Sequence, residues 1–163
     1  MMHISRRAAA VGAAAVLTGL ASLGAAGAAF ASPAAPPTHN TVQVLRLHTV
    51  FVSLAVNHAG HGGPGDVTAV VFNLQTPSGA EAGKAYISCT AATASVSLCH
   101  GAYVLAGGQI DVQVAHPDTA TRYTLAVTGG TGTYAGVTGQ ARSVDTGPGT
   151  GDRTFYLIRP DQD

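Results

Sequence analysis

Thr128-Gly-Gly-Thr-Gly-Thr-Tyr-Ala-Gly-Val-Thr-Gly139 is the stretch on which the fold turns. Five of its twelve residues are glycine. Glycine tolerates positive φ and close backbone approach, so such a cluster marks tight backbone geometry. Strand-like sequence flanks it, Tyr123 to Val127 before and Gln140 to Val144 after. It does not fit a phosphate loop. Gly130-x-Gly132 would need a glycine at position 135, where Ala135 stands, and no Gly-Lys-Ser/Thr and no helical pattern follows. Both phosphate-binding motifs need a helix N-terminus facing the anion. The sequence therefore calls for no nucleotide or other cofactor.

Working outward, Val42 to Val56 is apolar and rich in β-branched residues. Leu45 and Leu47 share one phase, whereas Val50, Val52, Leu54 and Val56 share the other, which predicts a bulge near His48-Thr49. Further strands are expected at Asp66 to Leu74, Lys84 to Thr90, Ser95 to Leu105, Gln109 to Ala115, Tyr123 to Val127, Gln140 to Val144 and Arg153 to Arg159. Turn signals separate them, such as Thr76-Pro-Ser-Gly79, Gly107-Gly108 and Gly147-Pro-Gly149. This is an all-β chain. Eight short strands can close an eight-stranded antiparallel β-barrel whose interior holds side chains or one small ligand. A two-sheet sandwich is the alternative. Closure is favoured because no strand is defended as an edge by Lys or Pro.

The first part of the chain reads as a processing segment. Arg6 and Arg7 precede an Ala-rich apolar stretch, Val11 to Phe30, and Ala29-Phe30-Ala31 offers a small-residue cleavage site before Ser32. That order predicts a signal peptide over residues 1–31, a secreted product and no membrane anchor after cleavage. Ser5-Arg6-Arg7 hints at twin-arginine export as an alternative to the Sec route. An extended lead-in over residues 32–41 and a barrel domain over 42–163 follow. From Ser32 onward six basic residues face eight acids, with no basic patch to suit nucleic acid. Cys89 and Cys99 are expected to form a disulfide in an oxidising compartment. Free thiols and metal ligation are the alternatives, but two cysteines without a convincing histidine partner make a poor zinc site. A turn centred on Ala94 would set them directly opposite each other, where a bridge needs little adjustment.

Leu125 to Gln140 resembles the shared signature of the allene oxide cyclase and dirigent protein superfamily. Three further pieces match in order: Gly65-Asp66-Val67 at the second strand, Leu105-Ala-Gly-Gly-Gln-Ile110 at the hairpin, and Thr154-Phe-Tyr-Leu157 at the closing strand. The resemblance covers about Gly65 to Arg159. It implies a calycin-like eight-stranded barrel with an apolar cavity and, as an expectation, a homotrimer. The chain departs from the family at its chemistry. The cyclases carry a glutamate in the first strand and an Asn in the second, yet no Asp or Glu lies between Thr38 and Gly65, and the Asn position falls on Phe72. Asn73 is one residue off, which turns a side chain to the other face of a strand. Plant dirigent proteins pair a first-strand acid with a His, and here His48 has no acid beside it.

The pocket candidates are Arg46, His48, Phe72, Tyr103 and His116, with Val112 and the two cysteines on the same wall. Arg46 and His48 share a phase and would form a cation and an acid/base group if they face inward; a bulge that turns them to solvent is the competing expectation. His58-x-x-His61 with Asp66 has ligand-like spacing but sits in a Gly/Pro-rich loop, so surface histidines are expected there and no metal site. No catalytic residue is assigned. The leading expectation is a secreted barrel that binds a small hydrophobic molecule. It would guide a cyclisation, isomerisation or stereoselective coupling by orientation, without needing the missing carboxylate. The alternative is an exported binding or structural protein without catalysis, since fold does not fix function.

Overall fold

The computed structural model describes residues 41–58 and 63–159. The expected signal peptide, the lead-in before Thr41, and His61 lie outside the described residues. Eight strands run in chain order: β1 (Thr41–Asn57), β2 (Val67–Gln75), β3 (Glu81–Ala91), β4 (Val96–Leu105), β5 (Gly108–Pro117), β6 (Arg122–Gly130), β7 (Thr138–Gly147) and β8 (Thr150–Arg159). Each pairs antiparallel with the next, and β8 returns to β1, so the sheet closes into a barrel rather than splitting into a sandwich. Among the described residues no helix is long and apolar enough to cross a membrane.

Alternation decides which side chains enter. Leu74 on β2, Ala85 on β3, Tyr103 on β4, Ile110 and Val112 on β5, Leu125 and Val127 on β6, Ala141 on β7, and Phe155 and Leu157 on β8 are all buried. They form one cluster with Leu47 and with Val137, which comes from the glycine-rich connection. Burying each large aliphatic or aromatic side chain contributes about 1.5–3 kcal/mol. This cluster fills the end of the barrel that carries the β2–β3, β4–β5 and β6–β7 connections.

The glycine-rich stretch forms the lid of that end. It leaves β6, makes a single 3-10 turn (Gly132–Tyr134) and enters β7. Thr133 donates its backbone N–H to the Gly107 carbonyl at 2.8 Å, and Thr131 donates to Gln109 at 2.9 Å. Gly132 sits at φ +60°, where a Cβ would run into that same Gly107 carbonyl. Gly139, at φ +126°, would drive a Cβ into the carbonyl oxygen of Tyr156 on the neighbouring strand.

β1 carries the expected phase change, but further along. The register with β2 shifts between Phe51 and Ser53, not at His48-Thr49. The polar Thr49 concealed this in the sequence: it is fully buried in the inward phase of Leu45 and Leu47, with its hydroxyl donating to the Gly151 carbonyl at 2.9 Å. Beyond Val50, β1 leaves β8 and pairs with β2 alone, so Val52, Leu54 and Val56 are exposed. Cys89 and Cys99 oppose each other in the β3–β4 ladder and are bridged, with Cα atoms 4.0 Å apart.

Two stability outcomes are expected. Gly139→Ala lowers the unfolding free energy by about 2–4 kcal/mol in urea titration, whereas Gly129→Ala, with open space around its Cβ position, changes it by about 0.5 kcal/mol or less. Replacing both cysteines by alanine costs about 2–3 kcal/mol in the same measurement, because the bridge closes a short loop of the unfolded chain.

Candidate functional site

The other end of the barrel is hollow. A cavity of about 150 Å³ is lined by Phe72, Ile87, the Cys89–Cys99 bridge, Tyr103, Val114, His116, Tyr123, Leu125 and Arg153. A mouth of about 260 Å³ adjoins it, lined by Thr49, Phe51, Asp145, Gly147 and Gly149 and sharing Phe72, His116, Tyr123 and Arg153. The sequence places these groups through alternation. Ile110, Val112, Val114 and His116 step along the inner face of β5 from the packed end to the open one, and Val127, Leu125 and Tyr123 do so on β6.

Arg153 is the buried charged group at this end, only 6% exposed. Its guanidinium donates to the Asp152 carbonyl at 3.1 Å. Its contacts with the Val144 carbonyl, the Tyr123 hydroxyl and an Asp145 carboxylate oxygen are long, 3.5 Å each, and it also interacts with the Tyr103 phenol. It also lies 5.8 Å from the centre of the Tyr123 ring. Burying a guanidinium is costly unless its charge is closely paired, and a carboxylate at this distance, 40% exposed, pairs it loosely. Ser143 lies between Tyr123 and Arg153 in the sheet and buries its hydroxyl without a partner. A loosely paired guanidinium thus faces an aromatic, apolar chamber, with the unpartnered Ser143 hydroxyl buried in the wall beside it.

Tyr103 packs edge-on to Phe155 at 4.9 Å between ring centres. Burial pushes its phenol above the ordinary 10.0, while the charge of nearby Arg153 works in the opposite direction. The phenol is therefore a neutral donor throughout the physiological range. His116 and Tyr123 meet edge to face at 4.4 Å between centres and line both cavity and mouth.

Of the expected pocket residues, Phe72, Tyr103 and His116 come together here, as do both cysteines. Arg46 and His48 do not. They occupy the outward phase of β1, because the bulge lies downstream of them. Arg46 is exposed, and His48 Nδ1–H donates to Asp152 at 2.8 Å on the outer surface. Both border a separate hollow of about 390 Å³ beside Gln75, Thr76 and Asp152. A wider hollow of about 610 Å³ also lies on the outer wall, over Ala69, Tyr86, His100 and Ala102, and contains no buried charge. His58 Nδ1–H donates to Asp66 at 3.1 Å. Among the described residues no group of three or more His, Cys, Asp or Glu side chains is placed to hold a metal ion.

Sequence reasoning missed Arg153, Asp145 and Ser143. Arg153 shares its parity with Phe155 and Leu157, so alternation on β8 points it inward. The general rarity of buried arginine argued the other way. Asp145 supplies a carboxylate to the chamber from β7, although the first strand has none.

The closed eight-stranded barrel resembles the dirigent and allene oxide cyclase type of fold, at low sequence identity to its structural neighbours. No family model matches the chain, and no curated protein matches it. Among solved structures it is similar to a pyocyanin demethylase, with a TM-score of 0.64 at 21% identity, covering 71% of this chain and 99% of that one. It is similar to the pterocarpan synthase dirigent protein GePTS1, with a TM-score of 0.62 at 13% identity, covering 82% and 100%. It is also similar to AbnU, an exo-specific intermolecular Diels-Alderase, with a TM-score of 0.61 at 13% identity, covering 74% and 98%. At these identities the likeness is one of fold.

The raised Tyr103 pKa carries a pH consequence. A phenol whose folded pKa exceeds its unfolded one contributes stability that is fully present below the unfolded value, near pH 10.0, and lost as pH rises through the folded value. Ultraviolet titration of phenolate should show one of the five tyrosines ionising later than the rest. That late phase should vanish in Tyr103→Phe, whose stability should also fall less steeply above pH 10.0.

Proposed function

We propose that the barrel binds a small, largely apolar molecule bearing one acidic or carbonyl oxygen, and that it guides a ring closure or isomerisation of that molecule. One observation carries the proposal: a guanidinium, 6% exposed and loosely paired, inside a chamber of aromatic and aliphatic walls. Such a group meets a ligand oxygen at little reorganisation cost. Arg153 and the Tyr103 phenol are both donors, and two donors at one oxygen draw electron density from a conjugated carbonyl. Their pull is strong because water is excluded, and it strengthens as negative charge develops in the transition state. The rings of Phe72, Tyr123 and His116 would hold the remainder of the ligand in one conformation, which is the larger part of catalysis by orientation. The named activities of the demethylase, the dirigent protein and the Diels-Alderase all concern small organic molecules, which supports this reading.

The protein is proposed to work after export. The charge, apolar stretch and small-residue site of residues 1–31 support a cleaved signal, and the Cys89–Cys99 bridge suits an oxidising compartment. Exposed Val42, Val44 and Ile158 on the outer wall support a homotrimer in which barrels pack side by side.

Two fluorescent probes that differ by one charge test the ligand assignment. Anilinonaphthalene sulfonate is anionic, and phenylnaphthylamine is its neutral counterpart. The protein should bind the anionic probe about tenfold more tightly, a difference of about 1.4 kcal/mol. Arg153→Met should remove that preference while leaving the neutral probe bound. Failure of the protein to bind either probe would overturn the cavity reading. Equal affinity for both would remove Arg153 from the ligand contact.

A further inference from the structure

The wall of the barrel is incomplete beside the cavity. The β5–β6 ladder runs from Ile110↔Gly130 to Gln113↔Ala126 and stops there. These strands are joined by a short connection, residues 118–121, so the ladder would ordinarily be tightest next to it. Instead it is missing there. In continued register Ala115 would oppose Thr124, and His116 would oppose Tyr123.

Each side of the gap is held by its other neighbour. On the β5 side, β4 keeps its full register out to Val96↔Pro117. Asp118 donates its N–H to Ser95 at 3.0 Å and accepts from the Ser97 hydroxyl at 3.0 Å. On the β6 side, the ladder to β7 continues to Arg122↔Val144, and Asp145 donates its N–H to Thr121 at 2.9 Å. Each strand end is thus paired with its outer neighbour and not across the gap. What spans the gap on the inside is the edge-to-face contact of His116 and Tyr123. On the outside lies a groove of about 490 Å³ over Val114, Ala115 and Thr124. Val114 lines this groove and the inner cavity alike.

We propose that this unzipped seam is the gate of the cavity. Entry and release of ligand require the β5 and β6 ends to separate, which parts the His116 and Tyr123 rings. Two features support this. The ring pair lines cavity and mouth alike, so a ligand passing from the mouth inward to Tyr103 moves against it. The segments that carry the rings lack a ladder to each other, and local opening is easiest where few backbone hydrogen bonds must break. Conformational gating of this kind sets exchange rates without altering the chemistry of the site. The proposal rests on the cavity being a ligand site.

The test is a removable clamp. Ala115→Cys with Thr124→Cys places two thiols on the outer face of the gap, away from the cavity lining. After oxidation, and peptide mapping to confirm the new bridge, exchange of anilinonaphthalene sulfonate is followed by stopped flow. Association and release should both slow about tenfold or more, with little change in affinity, and gentle reduction should restore them. Wild-type protein taken through the same oxidation and reduction controls for the Cys89–Cys99 bridge. Unchanged rates in the bridged protein, with probe still bound, would overturn the gate and leave the cavity reading intact. No probe binding by the wild type would sink the cavity reading and the gate with it. Hydrogen exchange supplies a check that needs no variant: seam-facing amides of 114–116 and 123–125 should exchange faster than those of 110–113 and be protected by probe. Equal protection of the two groups in free protein would also overturn the proposal.

Discussion

The backbone contact between two glycine pairs constrains everything else in this barrel. Thr133 and Thr131 donate to Gly107 and Gln109, and side chains at Gly108 or Gly132 would keep the two connections apart. The close approach lays the β6–β7 connection across the end of the barrel and brings Val137 into the core beside Leu74, Ile110 and Leu157. One end is thereby packed. A barrel of eight strands has room for either a full core or a small cavity, and here it has one of each, end to end.

That asymmetry explains the polar groups. At the packed end alternation delivers aliphatic side chains that fill the space. At the open end the same inner phase delivers Tyr103, His116, Tyr123, Ser143, Asp145 and Arg153. Arg153 is held there by mostly long contacts, and the Ser143 hydroxyl beside it has no partner. Buried groups left wanting donors or acceptors destabilise a fold by about 1–3 kcal/mol each. A site that tolerates them is one in which a ligand can supply what is missing. The bridge between Cys89 and Cys99 holds the β3–β4 wall of this end in register, which matters because the β5–β6 wall is not zipped.

Legibility in the sequence followed the strength of alternation. On β5, where Ile110, Val112 and Val114 alternate cleanly with polar residues, the strand and its inner face were both readable, and His116 followed by parity. Phe72 and Tyr103 were readable for the same reason. On β1 the pattern was blurred by an apolar outer face and by Thr49, a polar residue in an inner position. The bulge was placed too early, and Arg46 and His48, named both as pocket candidates and as residues turned to solvent, take the outward course. On β8 the parity of Arg153 was visible, but composition alone gives no reason to place a guanidinium in a core.

The sequence by itself determined the strand count, the turns and the cross-strand cysteine pair, because these depend on local backbone geometry and on a period of two along the chain; the barrel type followed from the resemblance carried by Leu125 to Gln140, since periodicity alone left a sandwich open. Only the tertiary structure decided that Arg153, Asp145, Tyr103 and Tyr123 gather at one end of the barrel, and that the β5–β6 ladder stops short of its own turn. These come from strands distant in sequence, and their meeting depends on closure, shear and competition between neighbouring ladders, none of which leaves a periodic trace in the chain.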